Sequence, residues 1–227
     1  MQETFKTAGK ILFDGGMNDS HSGNASIKDG DKIVITSRKA MFSMLKDTDL
    51  VETGLEPVSS DADASRDLDV HRAIYKNIGA KAILHAHPAY AMSLCLTENK
   101  ILPQDQKTQG FFPQGVSIVK LRPGFDRAEF IRLVVPMIST FPGIVMVKGY
   151  GSFAVAGSLE EALELTTSLE MTSKAWLYSK LVSPRPLPMS NQHQSSRPFE
   201  PRKRTAIPPG IGVMGSRSGY RRDNNKR

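Results

Sequence analysis

Residues 80–95 read Ala-Lys-Ala-Ile-Leu-His-Ala-His-Pro-Ala-Tyr-Ala-Met-Ser-Leu-Cys. The apolar run Ala82-Ile83-Leu84 predicts a buried strand, and His85 and His87 lie at its end with only Ala86 between them. Residues i and i+2 of a strand share a face, which sets the two imidazoles side by side about 7 Å apart at the backbone. That spacing suits two ligands of one metal ion. Pro88 closes the strand and opens a helix from Ala89, because proline is favoured in a first helical turn. The histidine pair is thereby placed at the C-terminal mouth of a strand. A bare His-x-His is also common in ordinary strands, so further N/O donors are needed to make a metal site. Asp61, Asp63, Asp67, Asp69 and His71 lie just upstream.

Outward from this strand, turn and cap signals divide the chain. On the N-terminal side, Glu3–Phe13 carries Phe5, Ala8 and Leu12 on one helical face and stops at Gly15-Gly16. The polar stretch Met17–Ser26 reads as a loop. Ile27-Lys28, then Asp29-Gly30-Asp31, then Lys32–Thr36 read as a hairpin. Met41–Leu45 reads as a helical turn and Asp49–Val51 as the start of a strand. Asp67–Asn77 reads as a helix with Leu68, His71, Ile74 and Tyr75 on one face.

On the C-terminal side, Val116–Leu121 predicts a strand and Phe125–Ile138 a helix with Phe130, Val134 and Met137 inward. Ile144–Val147 is a buried strand that Phe153–Ala156 continues across Gly149 and Gly151, with a bend or bulge between. Ser158 and Glu161 form a capping box opening a helix of about six turns that reaches Leu181.

The net charge of +7 is unevenly spread. Residues from Ser183 onward hold ten Lys/Arg and two acidic residues, leaving 20 basic and 21 acidic side chains in 1–182. This divides the chain into a near-neutral body, 1–182, and a basic Pro/Arg-rich tail, 183–227, expected to be disordered or to act as a lid. The tail could hold a polyanion such as RNA by counterion release, but Phe199 and Tyr220 are its only aromatics, so base stacking is not favoured. No apolar run reaches 18 residues, the N-terminus lacks a signal pattern, and Cys95 is alone; a cytoplasmic protein without disulfides is expected.

Four stretches follow one another in a distinctive order: Gly23-Asn24-Ala25-Ser26, Ile35-Thr36-Ser37-Arg38, Ser65–Tyr75, and His85-Ala86-His87. With the strand, Gly-Tyr-Gly and capped helix around Tyr150, they resemble the class II aldolase/adducin-domain family over about residues 3–181. The resemblance implies a three-layer α/β/α fold with a central, mostly antiparallel sheet. It implies a divalent metal, with Zn²⁺ favoured, on His85, His87 and a third position where Tyr150 stands in place of the family's histidine. It also implies an acid/base carboxylate at Asp67, with Asp61 of Ser59-Ser60-Asp61 as the alternate, and an anion site of Gly23, Asn24, Arg38, Ser65 and Arg66.

The implied activity is cleavage or formation of a C–C bond in a small phosphorylated or otherwise anionic sugar-like substrate through an enediolate, in a homotetramer. A phenol ionises only near pH 10 and binds Zn²⁺ poorly while protonated, so Tyr150 marks a departure from the family's site. Arg38, Lys39 and Arg66 stand where the family has small residues, and favour a more anionic ligand. Related epimerase, dehydratase and decarboxylase chemistry shares the intermediate. Adducin-like members imply a different reading, a non-catalytic interaction module.

Overall fold

A computed structural model describes residues 1–138 and 140–182; the tail readings concern residues outside this range. Eight strands form one sheet: β1 (Asn24–Asp29), β2 (Lys32–Thr36), β3 (Leu50–Gly54), β4 (Ala82–Ala86), β5 (Lys100–Ile101), β6 (Val116–Val119), β7 (Gly143–Val147) and β8 (Gly151–Ala156). Their spatial order is β3-β2-β1-β4-β8-β7-β6-β5. β6 and β7 pair in parallel, and the other neighbours are antiparallel. The mostly antiparallel expectation is met.

Helices flank the sheet: α1 (Gln2–Asp14), α2 (Leu68–Asn77), α3 (Ala89–Leu94), α4 (Gln106–Phe111), α5 (Arg127–Val134) and α6 (Leu159–Val182). Strand β4 is buried at every position, which explains its unbroken apolar reading. Its alternate residues join different apolar clusters. Ala82, Leu84 and Ala86 pack with Phe5 and Leu12 of α1 and Leu165 and Leu169 of α6. Ile83 packs with Ile74 of α2 and Phe130 of α5.

The sequence misreads several segments, and β1 begins at Asn24, inside the stretch read as a loop. Phe153–Ala156 does not continue β7 through a bend; the chain reverses, and β7 and β8 form an antiparallel hairpin with Val147 opposite Gly151. Tyr150 N–H donates to the Val147 carbonyl at 3.0 Å. Gly151 makes this possible: its φ is +127°, and a Cβ there would lie 2.4 Å from the Ala86 carbonyl oxygen. A bulge and a tight hairpin leave the same Gly-x-Gly mark in a sequence, and only the pairing partner separates them. The Phe125–Ile138 helix is also shorter, ending at Val134 in a 3₁₀ turn that leaves Met137 40% exposed. Helix α4, capped by Asp105 through Thr108 N–H at 2.9 Å, was not anticipated.

Candidate active site

β4 lies between β1 and β8, and its register sets Asn24 and Phe153 on either side of His85. The mouth of β4 therefore receives the loop before β1, the turn before α2 and the β7–β8 hairpin. Gly23 is required there. Its φ is +78°, and a Cβ would come within 2.2 Å of Asn18 Nδ2 and 2.8 Å of the His85 carbonyl oxygen. The loop so folded encloses a pocket of about 480 Å³ lined by Gly23, Asn24, Arg38, Ser65, Arg66, Asp67, His85, His87 and Tyr150. All nine residues expected from the sequence thus meet in one pocket, although they come from five separate stretches of chain.

Asp67, directly before α2 and only 6% exposed, is the hub. Asn24 Nδ2 donates to its Oδ2 at 2.7 Å. Its Oδ1 accepts from the Tyr150 hydroxyl at 2.5 Å and from Arg127 Nη2 at 2.7 Å. Burial opposes the charge on this carboxyl, but His85, Tyr150 and Arg127 outweigh it and hold the group below the usual carboxylate range. At neutral pH His85 is uncharged, so the Tyr150 and Arg127 hydrogen bonds carry that effect. Asp61 lies elsewhere: it accepts from Arg72 Nη1 at 2.7 Å and Thr53 Oγ1 at 2.6 Å, a brace between β3 and α2. Arg72 pulls the Asp61 carboxyl down to about 2.

The His85 imidazole is oriented from behind. His85 Nδ1 lies 2.9 Å from the Ser152 carbonyl oxygen, an acceptor only, so Nδ1 carries the proton and Nε2 presents a lone pair. That Nε2 faces Asp67 Oδ2 at 3.8 Å. Burial pushes the His85 ring down to about 4, against the attraction of Asp67. The His87 ring, also lowered chiefly by burial, sits with its centroid 4.8 Å from that of His85. His85, neutral and with a back-side N–H···O=C bond, has the form a metal ligand takes. Among the described residues, no three His, Cys, Asp or Glu side chains close around one point. The donor chemistry at His85 and His87 suits a divalent cation with coordination positions left for other oxygens.

Tyr150 is committed differently. Its hydroxyl donates to Asp67 and accepts from Arg127 Nη1 at 2.9 Å. Burial and then the Asp67 charge push the phenol up to about 12.

Arg127 escaped the sequence reading. Its Nε donates to Asp69 at 2.8 and 2.9 Å, and its Nη2 also reaches the Arg66 carbonyl at 2.8 Å. It begins α5, 60 residues from Asp67 in the chain. The only local signal was the helix cap at Asp126, which says nothing of where the next side chain points. Two loop residues were also missed. Asn18 Oδ1 accepts from His87 N–H at 2.9 Å, and His21 stands at the pocket rim.

Below the pocket, Ser26 Oγ lies 2.7 Å from both His71 Nδ1 and the Tyr75 hydroxyl. His71 is fully buried, and burial lowers its pKa to about 3. The unfolded chain binds a proton at this residue below about pH 6.5, while the folded chain refuses it until about pH 3. Stability from this residue is therefore complete above pH 6.5 and falls as pH drops through that window, by up to about 1.4 kcal/mol per pH unit. Melting temperatures of wild type and His71→Gln across pH 4–7 should show a shallower acid decline in the variant. Parallel curves would remove His71 as a cause.

The family profile described as "Class II Aldolase and Adducin N-terminal domain" matches residues 3–177. The chain belongs to this family. It is similar to L-fuculose phosphate aldolase of Methanococcus maripaludis, with 25% identity over 163 residues, 70% of this chain and 87% of that protein. The crystal structure of L-fuculose-1-phosphate aldolase from Thermus thermophilus superposes with a TM-score of 0.75 at 27% identity, covering 82% of this chain and 97% of that one. The sugar-phosphate aldolase structure from Thermotoga maritima shares the fold, with a TM-score of 0.65 at 20% identity over 82% and 98% of the two chains. No described helix is long and apolar enough to cross a membrane.

Proposed function

We propose that this protein is a metal-dependent lyase of aldolase type acting on a small phosphorylated or otherwise anionic sugar-like substrate. The observation that carries this reading is the meeting of an ionised buried carboxylate, Asp67, with two neutral imidazoles, His85 and His87, in one pocket. His85 and His87 would hold the divalent cation, Zn²⁺ by preference, and Tyr150 would take the third family position. A bound cation supplies Lewis-acid charge beside the substrate oxygens.

The chain's own residues do the rest. Asp67, ionised at rest, is a base: in the direction of bond formation it takes the proton from the donor carbon. In cleavage it first takes the proton that the substrate hydroxyl loses as the C–C bond breaks to a carbonyl, and then delivers that proton to the enediolate carbon. Tyr150 and Arg127 hold one oxygen of the carboxylate still, and Asn24 holds the other. Gly23, Asn24, Ser65, Arg66 and Arg38 form the anion end. The alternating apolar clusters support the three-layer α/β/α architecture, and the family likeness supports a cytoplasmic homotetramer.

Incubation with a panel of phosphorylated ketoses tests the reading, with aldehyde release and solvent exchange of the donor C–H as readouts. Folded, metal-loaded protein that gives neither would sink it. One observation favours a second reading, a non-catalytic adducin-like module: Arg127 already neutralises Asp67.

Arg38 offers a separate measurement. Its Nε donates to the Ala64 carbonyl at 3.3 Å, and the side chain borders the pocket. A charge-assisted bond to a substrate anion contributes about 1.5–3 kcal/mol. Arg38→Ala should raise KM for an anionic substrate about 10-fold or more with little change in kcat or melting temperature. An unchanged KM would place the anion elsewhere.

A further inference from the structure

We infer that Glu170, on the long C-terminal helix α6, is a positioning residue for His87. Pro88 directly follows His87 and precedes α3, and its side chain cannot accept a hydrogen bond to cap that helix. The first N–H groups of a helix need acceptors from somewhere. Glu170 supplies them from 80 residues away. Its Oε1 and Oε2 accept from Tyr90 N–H at 3.0 and 3.1 Å, and Oε2 also accepts from Ala91 N–H at 3.1 Å.

The carboxylate is only 6% exposed, so its withdrawal from water is offset by these bonds. On the opposite side, His87 N–H donates to Asn18 Oδ1 and to the Met17 carbonyl, both at 2.9 Å. His87 thus hangs between two anchors, a loop amide before it and a buried carboxylate after it. β4 ends at Ala86, so His87 lies beyond the sheet ladder and depends on these anchors for its place. His85, inside the ladder, does not. A residue serving only the stability of α6 has no reason to aim its carboxylate at the helix that starts two residues after His87.

This inference rests on the reading of His87 as a metal ligand only for its functional meaning; the positioning itself is testable without metal. The experiment compares metal-free wild type, Glu170→Ala, Glu170→Gln and Glu170→Asp by ¹⁵N-histidine NMR. Asp105→Ala, which uncaps α4 against the same helix, is the control. Glu170→Ala should shift or broaden the His87 ring signals and leave His71 unmoved. Gln, retaining an acceptor oxygen, should restore most of the wild-type spectrum. Should the Ala variant fail to fold, the Asp variant, one methylene too short, should show the His87 shift.

Co²⁺ titration of the same proteins should show at least about 10-fold weaker binding in Glu170→Ala and no loss in Asp105→Ala, as is usual for partners that orient a ligand. His87 signals identical to wild type in both the Ala and Asp variants would overturn the inference. Shifted His87 signals in a protein whose wild type takes up no Co²⁺ would support the positioning and overturn the metal reading instead.

Discussion

Asp67→Asn is expected to lower turnover at least about 10²-fold, the low end for removal of a general acid or base. The amide keeps the volume of the carboxyl and can still accept one hydrogen bond, so the site remains filled. What disappears is a base. The Asn side chain has no basic lone pair to take the donor-carbon proton, whatever the pH. The loss of charge partly strands Arg127, whose guanidinium keeps Asp69 at 2.8 Å and the Tyr150 hydroxyl at 2.9 Å. Its remaining partners and partial exposure limit the cost in stability.

Asp61→Asn provides the contrast. That carboxylate bridges Arg72 and Thr53 and does not line the pocket. Its replacement should lower the stability by up to about 1.5–3 kcal/mol for a charge-assisted bond, and the melting temperature with it, while kcat stays near wild type. Steady-state rates and thermal melts of both variants decide the matter. A fully active Asp67→Asn beside an inactive Asp61→Asn would exchange the two roles.

The histidine pair carries the second large effect. His87→Ala should abolish stoichiometric uptake of a divalent cation, weakening binding beyond the roughly 10–100-fold expected for loss of an outer partner. His87 is the cleaner of the two positions, since the residue is only partly buried. His85 stacks on Phe153 with ring centroids 4.5 Å apart and satisfies the Ser152 carbonyl, so its removal disturbs packing as well. The double variant His85→Ala/His87→Ala should retain no metal by elemental analysis after dialysis. Equal metal content in wild type and double variant would eliminate the site, while the His-x-His strand would remain as a structural feature.

Much of this protein was legible without coordinates because local rules wrote it. An apolar run stopped by proline, an Asp-Gly turn between alternating residues and a Ser/Glu cap each have a short-range physical cause, and each element appears where those causes place it. The capping box is real in its first half: Ser158 Oγ accepts from Glu161 N–H at 3.2 Å. The reciprocal bond comes from Gly157 N–H rather than from Ser158. The Gly-Tyr-Gly segment was misread because a glycine pair reports conformational freedom, not the identity of the strand paired alongside.

The sequence by itself determined the two-residue spacing of His85 and His87 and the acidic residue opening α2. It also determined the glycine that lets the Met17–Ser22 loop fold against β4. These follow from period, charge and φ, which are properties of neighbouring residues. Tertiary structure alone decided the electrostatic state of the pocket. Arg127 reaches Asp67 from α5, Tyr150 spends its proton on that same carboxylate, and Glu170 reaches the helix after His87 from α6. Such pairs lie 60 to 83 residues apart in the chain. Their partners are chosen by how the sheet orders its strands and where helices cross it, and no local pattern encodes that choice.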